Sequence, residues 1–177
     1  MERLGITNLL DVPHFGSEEH INNYVKMLII CVHGGYLWLD CKVSTDAQLI
    51  HKIMKLLLEG EDPMLLFVDK HGDRNVTARV VRKYGTTWGA CGIKVAEIND
   101  QAVKFGAQIL VGKLLRGNRY NEVSAGAIKV RVKCALGVSM TWAHFLVEVF
   151  RQDCLEALEK HGHLHYSWLL ILIALVG

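Results

Sequence analysis

The chain has 177 residues, 51% of them apolar and 21% charged, which is enough for a sizeable core and too apolar for a disordered segment. No charged opening segment leads into an apolar signal core, so secretion is not expected. Its five scattered cysteines (Cys31, Cys41, Cys91, Cys134 and Cys154) contain no CxxC pair, which argues against a disulfide framework or a structural zinc site and for a reduced compartment, the nucleus or the cytoplasm.

The net charge of +2 conceals an asymmetry. Residues 1–62 carry five basic and nine acidic side chains, residues 63–133 thirteen and five, and residues 134–177 two and four. The middle of the chain is therefore the candidate electropositive surface.

Residues 1–24 read as an N-terminal extension and residues 25–177 as one helical domain. Ser17-Glu18-Glu19 places a cap before acidic residues, and His20 to Cys31 then fits a helix with Ile21, Tyr24, Val25 and Leu28 on one face. The run 27–32 fits a buried strand equally well, because so short an apolar stretch has no decisive period. Gly34-Gly35 breaks the pattern, and Tyr36-Leu37-Trp38-Leu39 is a short extended piece.

A clean amphipathic helix follows. Thr45 and Gln48 have capping-box spacing, Leu49, Ile50, Ile53, Met54, Leu57 and Leu58 form an apolar face, and Gly60 ends it. Residues 64–98 admit short extended segments around a loop punctuated by Gly85, Gly89 and Gly92. Asn99-Asp100 caps another helix, with Ala102, Val103, Phe105, Ile109, Leu110 and Leu114 apolar, ending near Gly117. In 125–136 the alternation of Ile128, Val130, Val132 and Cys134 with Lys129, Arg131 and Lys133 fits a strand, while the Gly126 and Gly137 bounds fit a helix.

The last fifth is the most regular part. Trp142, Phe145, Leu146, Val149, Phe150, Cys154, Ala157 and Leu158 recur at helical spacing behind Thr141, a candidate cap. Residues 166–176 then form an uncharged run. A bilayer span needs about 20 apolar residues, so a buried core helix is expected here rather than a membrane segment. The fold expected from the residues is mainly α, one irregular helical domain in which 64–98 can hold short extended segments.

Two clusters could carry chemistry. Lys113, Arg116, Arg119, Lys129, Arg131 and Lys133 stand against one acid, Glu122, and suit phosphate contacts without base specificity. They lack interleaved aromatics for stacking single strands, Tyr120 excepted. His161, His163 and His165 have a metal-binding look and define the alternative, a metal-dependent nuclease or nucleotide-handling enzyme. The bland reading of those histidines is a polar turn between helices. No cofactor motif is present, since the glycines at 85, 89 and 92 lack the lysine that ends a phosphate loop. Cys91 and Cys154 have no evident histidine partner, so neither is assigned as a nucleophile.

Taken together, HGGYLWLD (33–40), STDAQLIHKIMKLLLEGEDP (44–63), KYGTTWGACGI (83–93), NDQAVKFGAQILVGKLLRG (99–117), TWAHFLVEVFRQDCLEAL (141–158) and above all HYSWLLILIALVG (165–177) resemble a group of plant proteins derived from transposons or retrotransposons. The resemblance spans roughly residues 25–177. It implies an all-α fold, no catalytic residues, and a copy that is truncated, since the chains it resembles continue past the apolar helix. It also implies a helical interaction or assembly module whose partners are nucleic acid or other element-encoded proteins.

Overall fold

The computed structural model describes residues 19–67, 78, 81–87, 93–109, 122–123, 125–135, 137–160 and 164–176. These residues divide into two compact units. A contiguous unit lies within residues 59–141. A split unit is assembled from residues on either side, 19–58 and 142–176.

The split unit opens with α1 (Glu19–Ile30). Val25, Leu28 and Ile29 are its buried side. Tyr24, assigned from spacing to the same face, is 45% exposed instead. A three-stranded antiparallel sheet follows: β1 (Val32–His33), β2 (Tyr36–Trp38) and β3 (Lys42–Ser44). His33 pairs with Tyr36 across the two-residue turn Gly34-Gly35, and both glycines have positive φ (59° and 80°). That is the turn whose twist matches antiparallel strands, and glycine adopts it without a Cβ penalty. Leu37 and its cross-strand partner Val43 are buried on one side of the sheet.

This sheet corrects the mainly α expectation, in which the extended piece at 36–39 had no strand partners. The fold is mixed α and β, with helix predominant. The sequence had assigned Gly34-Gly35 to a break, whereas flanked by VH and YLW the pair is a hairpin turn.

Next comes α2 (Ala47–Met54). Its N-cap is Asp46 rather than Thr45: Leu49 N–H donates to Asp46 Oδ1 at 2.9 Å, and Ser44 Oγ–H donates to Oδ2 at 2.6 Å. The helix stops at Met54, six residues before Gly60, because Lys55 adopts the left-handed conformation (φ 56°) and its N–H returns to the His51 carbonyl. Leu56, beyond the helix, is fully buried, and its carbonyl lies 2.6 Å from His51 Nδ1.

The contiguous unit holds α3 (Met64–Phe67), helical residues 81–84, β4 (Ile93–Lys94), a 3-10 turn (Val95–Glu97), α4 (Gln101–Ile109), β5 (Glu122–Val123) and α5 (Ala125–Ala135). β4 and β5 pair antiparallel, so extended structure also occurs outside 64–98 in this unit. Asp100 caps α4 as expected, accepting from Val103 N–H at 3.0 Å; residues 110–117, expected to continue that helix, lie outside the described residues. Within the ambiguous stretch, Ala125–Ala135 is a helix. Ala127, Ile128, Val130 and Cys134 are buried, with α3 and α4 packed against α5. Tertiary contact here overrides the strand preference of its β-branched residues.

The two ends of this unit are stitched together. Glu61 N–H donates to the Ser139 carbonyl (2.9 Å), and Thr141 N–H donates to the Glu61 carbonyl (3.0 Å). Gly60 has φ 139°, and a Cβ there would strike the Ser139 carbonyl.

The split unit then resumes with α6 (Trp142–Lys160) and α7 (Ser167–Val176). Trp142, Phe145, Leu146, Phe150 and Cys154 are its buried centre, with Trp142 and Phe145 packed edge to face at 6.0 Å. α2 packs on α6, and α1 packs on α6 and α7. Ala143 N–H donates to the Leu57 carbonyl at 3.0 Å. In α7, Leu169, Leu170, Ile171 and Ile173 are buried, as a core helix requires. Among the described residues no helix is long and apolar enough to cross a membrane.

Candidate functional site

The basic cluster is only partly placed. Lys113, Arg116 and Arg119 lie outside the described residues, as does the side chain of Arg131. Lys129 and Lys133 are carried by α5, four residues apart and so on adjacent turns. Lys133 is half-exposed and ion-paired to Glu61, an acid absent from the sequence-level picture of this patch. An exposed pair of this kind contributes about 0–1 kcal/mol, so Lys133 can exchange Glu61 for a phosphate at little cost.

Of the histidine cluster, His161 and His163 lie outside the described residues, and His165 is exposed just ahead of α7. Among the described residues no group of three or more metal-ligating side chains comes together.

Sequence reasoning missed a second surface, on the split unit's sheet. Because side chains alternate along a strand, Tyr36 and Trp38 point away from buried Leu37. Lys42 pairs with Trp38 across the ladder and shares that outer face. Its Nζ sits 3.7 Å from the Tyr36 ring centroid and 5.0 Å from that of Trp38. The two rings meet edge to face at 6.2 Å. Trp38 Nε1–H donates to the His33 carbonyl at 3.2 Å, which fixes the indole while 48% of the residue stays exposed. The available signal was the period-two spacing of Tyr36, Trp38 and the neighbouring Lys42 around a Gly-Gly turn.

Beside the Gly34-Gly35 turn, Arg151 of α6 reaches the Thr45 carbonyl (3.4 Å) and Glu148 (3.4 Å). Thr45 Oγ1 and Arg151 Nε are buried without a hydrogen-bond partner. Farther along α6, Asp153 is fully buried and accepts Tyr166 N–H at 2.8 Å, fixing the start of α7. Its position was readable, since 146, 150, 153 and 157 form one helical stripe.

Among the described residues, three titratable groups are clearly perturbed. Hydrogen bonds from the Ser44 hydroxyl and the Leu49 amide hold the Asp46 carboxyl below its usual range. The Thr87 hydroxyl and amide do the same for Glu97. Burial, followed by the neighbouring Asp153 charge, pushes the Cys154 thiol up to about 12. A carboxylate made more acidic and a thiol made less acidic are both moved away from acid, base or nucleophile work near neutral pH. Comparison with protein-family models, curated proteins and solved structures finds no match.

Proposed function

We propose that the protein acts by binding rather than by catalysis, as an interaction or assembly module derived from a plant mobile element. The mobile-element origin rests on the sequence resemblance alone. The observation that carries the binding role is the outer stripe of α1. Tyr24, Met27 and Ile30 recur every three residues and are 45%, 69% and 75% exposed, opposite the buried Val25, Leu28 and Ile29. A helix apolar on both sides buries one side in its own core and offers the other to a partner. The occupant proposed is a second copy of the chain, because an assembly module must present to its copies the surface it uses itself.

Nucleic acid is the second partner, held weakly and without sequence preference through phosphate contacts by Lys113, Arg116, Arg119, Lys129, Arg131 and Lys133. The nucleus or the cytoplasm is the setting this implies.

Both halves are testable on the full chain. Light scattering across a concentration series should show self-association, and replacing Met27 and Ile30 with lysine should abolish it while helical content by circular dichroism is kept. A wild-type chain that stays monomeric at every concentration removes the assembly half. Duplex DNA binding should fall steeply with salt and weaken in a Lys113→Ala/Arg116→Ala/Arg119→Ala variant. Absence of binding at low salt removes the phosphate half.

A further inference from the structure

We propose that the outer face of the β1–β3 sheet binds single-stranded nucleic acid, with a base stacked on Trp38 and an adjoining phosphate held by Lys42. The site lies in the split unit and shares no residue with the basic cluster of the contiguous unit, so either can fail without the other.

The argument begins with exposure. Trp38 is 48% exposed and shares its face with Tyr36 and Lys42, so the exposed ring is part of an aromatic and cationic surface rather than an isolated side chain. Trp38 is also held in place: its indole N–H is bonded to the His33 carbonyl, and its backbone N–H is bonded to the Cys31 carbonyl at 2.9 Å. A ring fixed in this way offers a flat π-face with no ordering cost at binding. Every nucleobase has a π-face, so stacking on aromatic side chains of an open sheet tolerates any sequence.

Charge supplies the second half. The ammonium of Lys42 lies over the Tyr36 and Trp38 rings, and it forms no ion pair with any described residue. An exposed cation–ring contact is weak. It can yield to a phosphate while the lysine stem keeps its place beside the ring. His33 is exposed on the same outer face as Tyr36, its cross-strand partner. The acid of the hairpin is Asp40, in the turn between β2 and β3. With one lysine set against one aspartate, affinity must come more from stacking than from charge. Duplex DNA, whose bases are already stacked and paired, offers this face no base to stack.

The test is fluorescence anisotropy with a labelled single-stranded oligonucleotide of mixed sequence and with its duplex, on the full-length protein. Trp38→Leu should weaken single-strand binding by about tenfold or more, the usual effect of removing one stacked ring, and leave duplex binding unchanged. Trp38→Phe should retain most of the affinity, which separates stacking from damage to the hairpin. Lys42→Gln should lower the slope of log affinity against log salt by about one. Three results overturn the proposal: wild-type protein that does not bind single strands, equal loss of duplex binding in Trp38→Leu, or a Trp38→Leu variant altered only in self-association. The last outcome would assign the face to a protein partner.

Discussion

Thr45 and Asp46 are neighbours with opposite expectations. Asp46 accepts a helix amide that water would otherwise have to satisfy, so Asp46→Ala should cost about 1 kcal/mol, read from the urea midpoint. Its carboxyl is more acidic folded than unfolded. The stability it contributes is therefore complete above the ordinary carboxylate range and is lost as pH falls through the lowered folded value. Thr45 Oγ1 is buried with no partner. Thr45→Val removes that hydroxyl at nearly constant volume and should be neutral or stabilising by about 1 kcal/mol. Cys154 adds a third expectation. With its thiol pushed up to about 12, it should resist alkylation in the native state at mildly alkaline pH, and exposed Cys41 should react before it. Above about pH 9 the unfolded thiol ionises and the folded one does not, so stability should decline as pH rises.

Among the elements, the Gly60 strap is the most sensitive to a single change. Its backbone is in a region that L side chains rarely adopt, and it runs against the Ser139 carbonyl. Gly60→Ala should cost at least about 2 kcal/mol in thermal or urea unfolding, more than any exposed substitution on α1. Legibility in the sequence also varied by element. Helices α4 and α6 could be read because their apolar residues recur at three and four, and α7 because an uncharged run too short for a bilayer implies a buried core helix. Helix α5 could not, because Ile128, Val130 and Cys134 alternate like a strand, and contacts with α3 and α4 decided the matter. The β1–β2 hairpin was legible in principle from Gly34-Gly35 but was lost to the reading of glycine as a breaker. With it went the Tyr36–Trp38–Lys42 face, since side chains share a face only once strands are paired. The acid that engages Lys133 is 72 residues distant in sequence, and no local pattern announces it.

At the scale of the molecule, one unit is contiguous and the other is interrupted by it. The contiguous unit closes on itself through the Glu61–Ser139 and Glu61–Thr141 hydrogen bonds. Residues 59–141 expressed alone should therefore show cooperative thermal unfolding by circular dichroism; a gradual, non-cooperative melt would show that they need the remainder of the chain.

The Leu57–Ala143 hydrogen bond brings together residues 86 positions apart and belongs to the split unit. This fixes an order of events on the ribosome. α1, the hairpin and α2 emerge first, yet α6 and α7, the helices that pack on α1 and α2, are made only after the whole intervening segment, a delay on the order of ten seconds at ordinary elongation rates. For that interval the nascent N-terminal part carries uncovered apolar surface while residues 59–141 can already fold. The vulnerable moment in this protein's life is thus its synthesis, when chaperone occupancy should peak between the emergence of Met54 and that of α6.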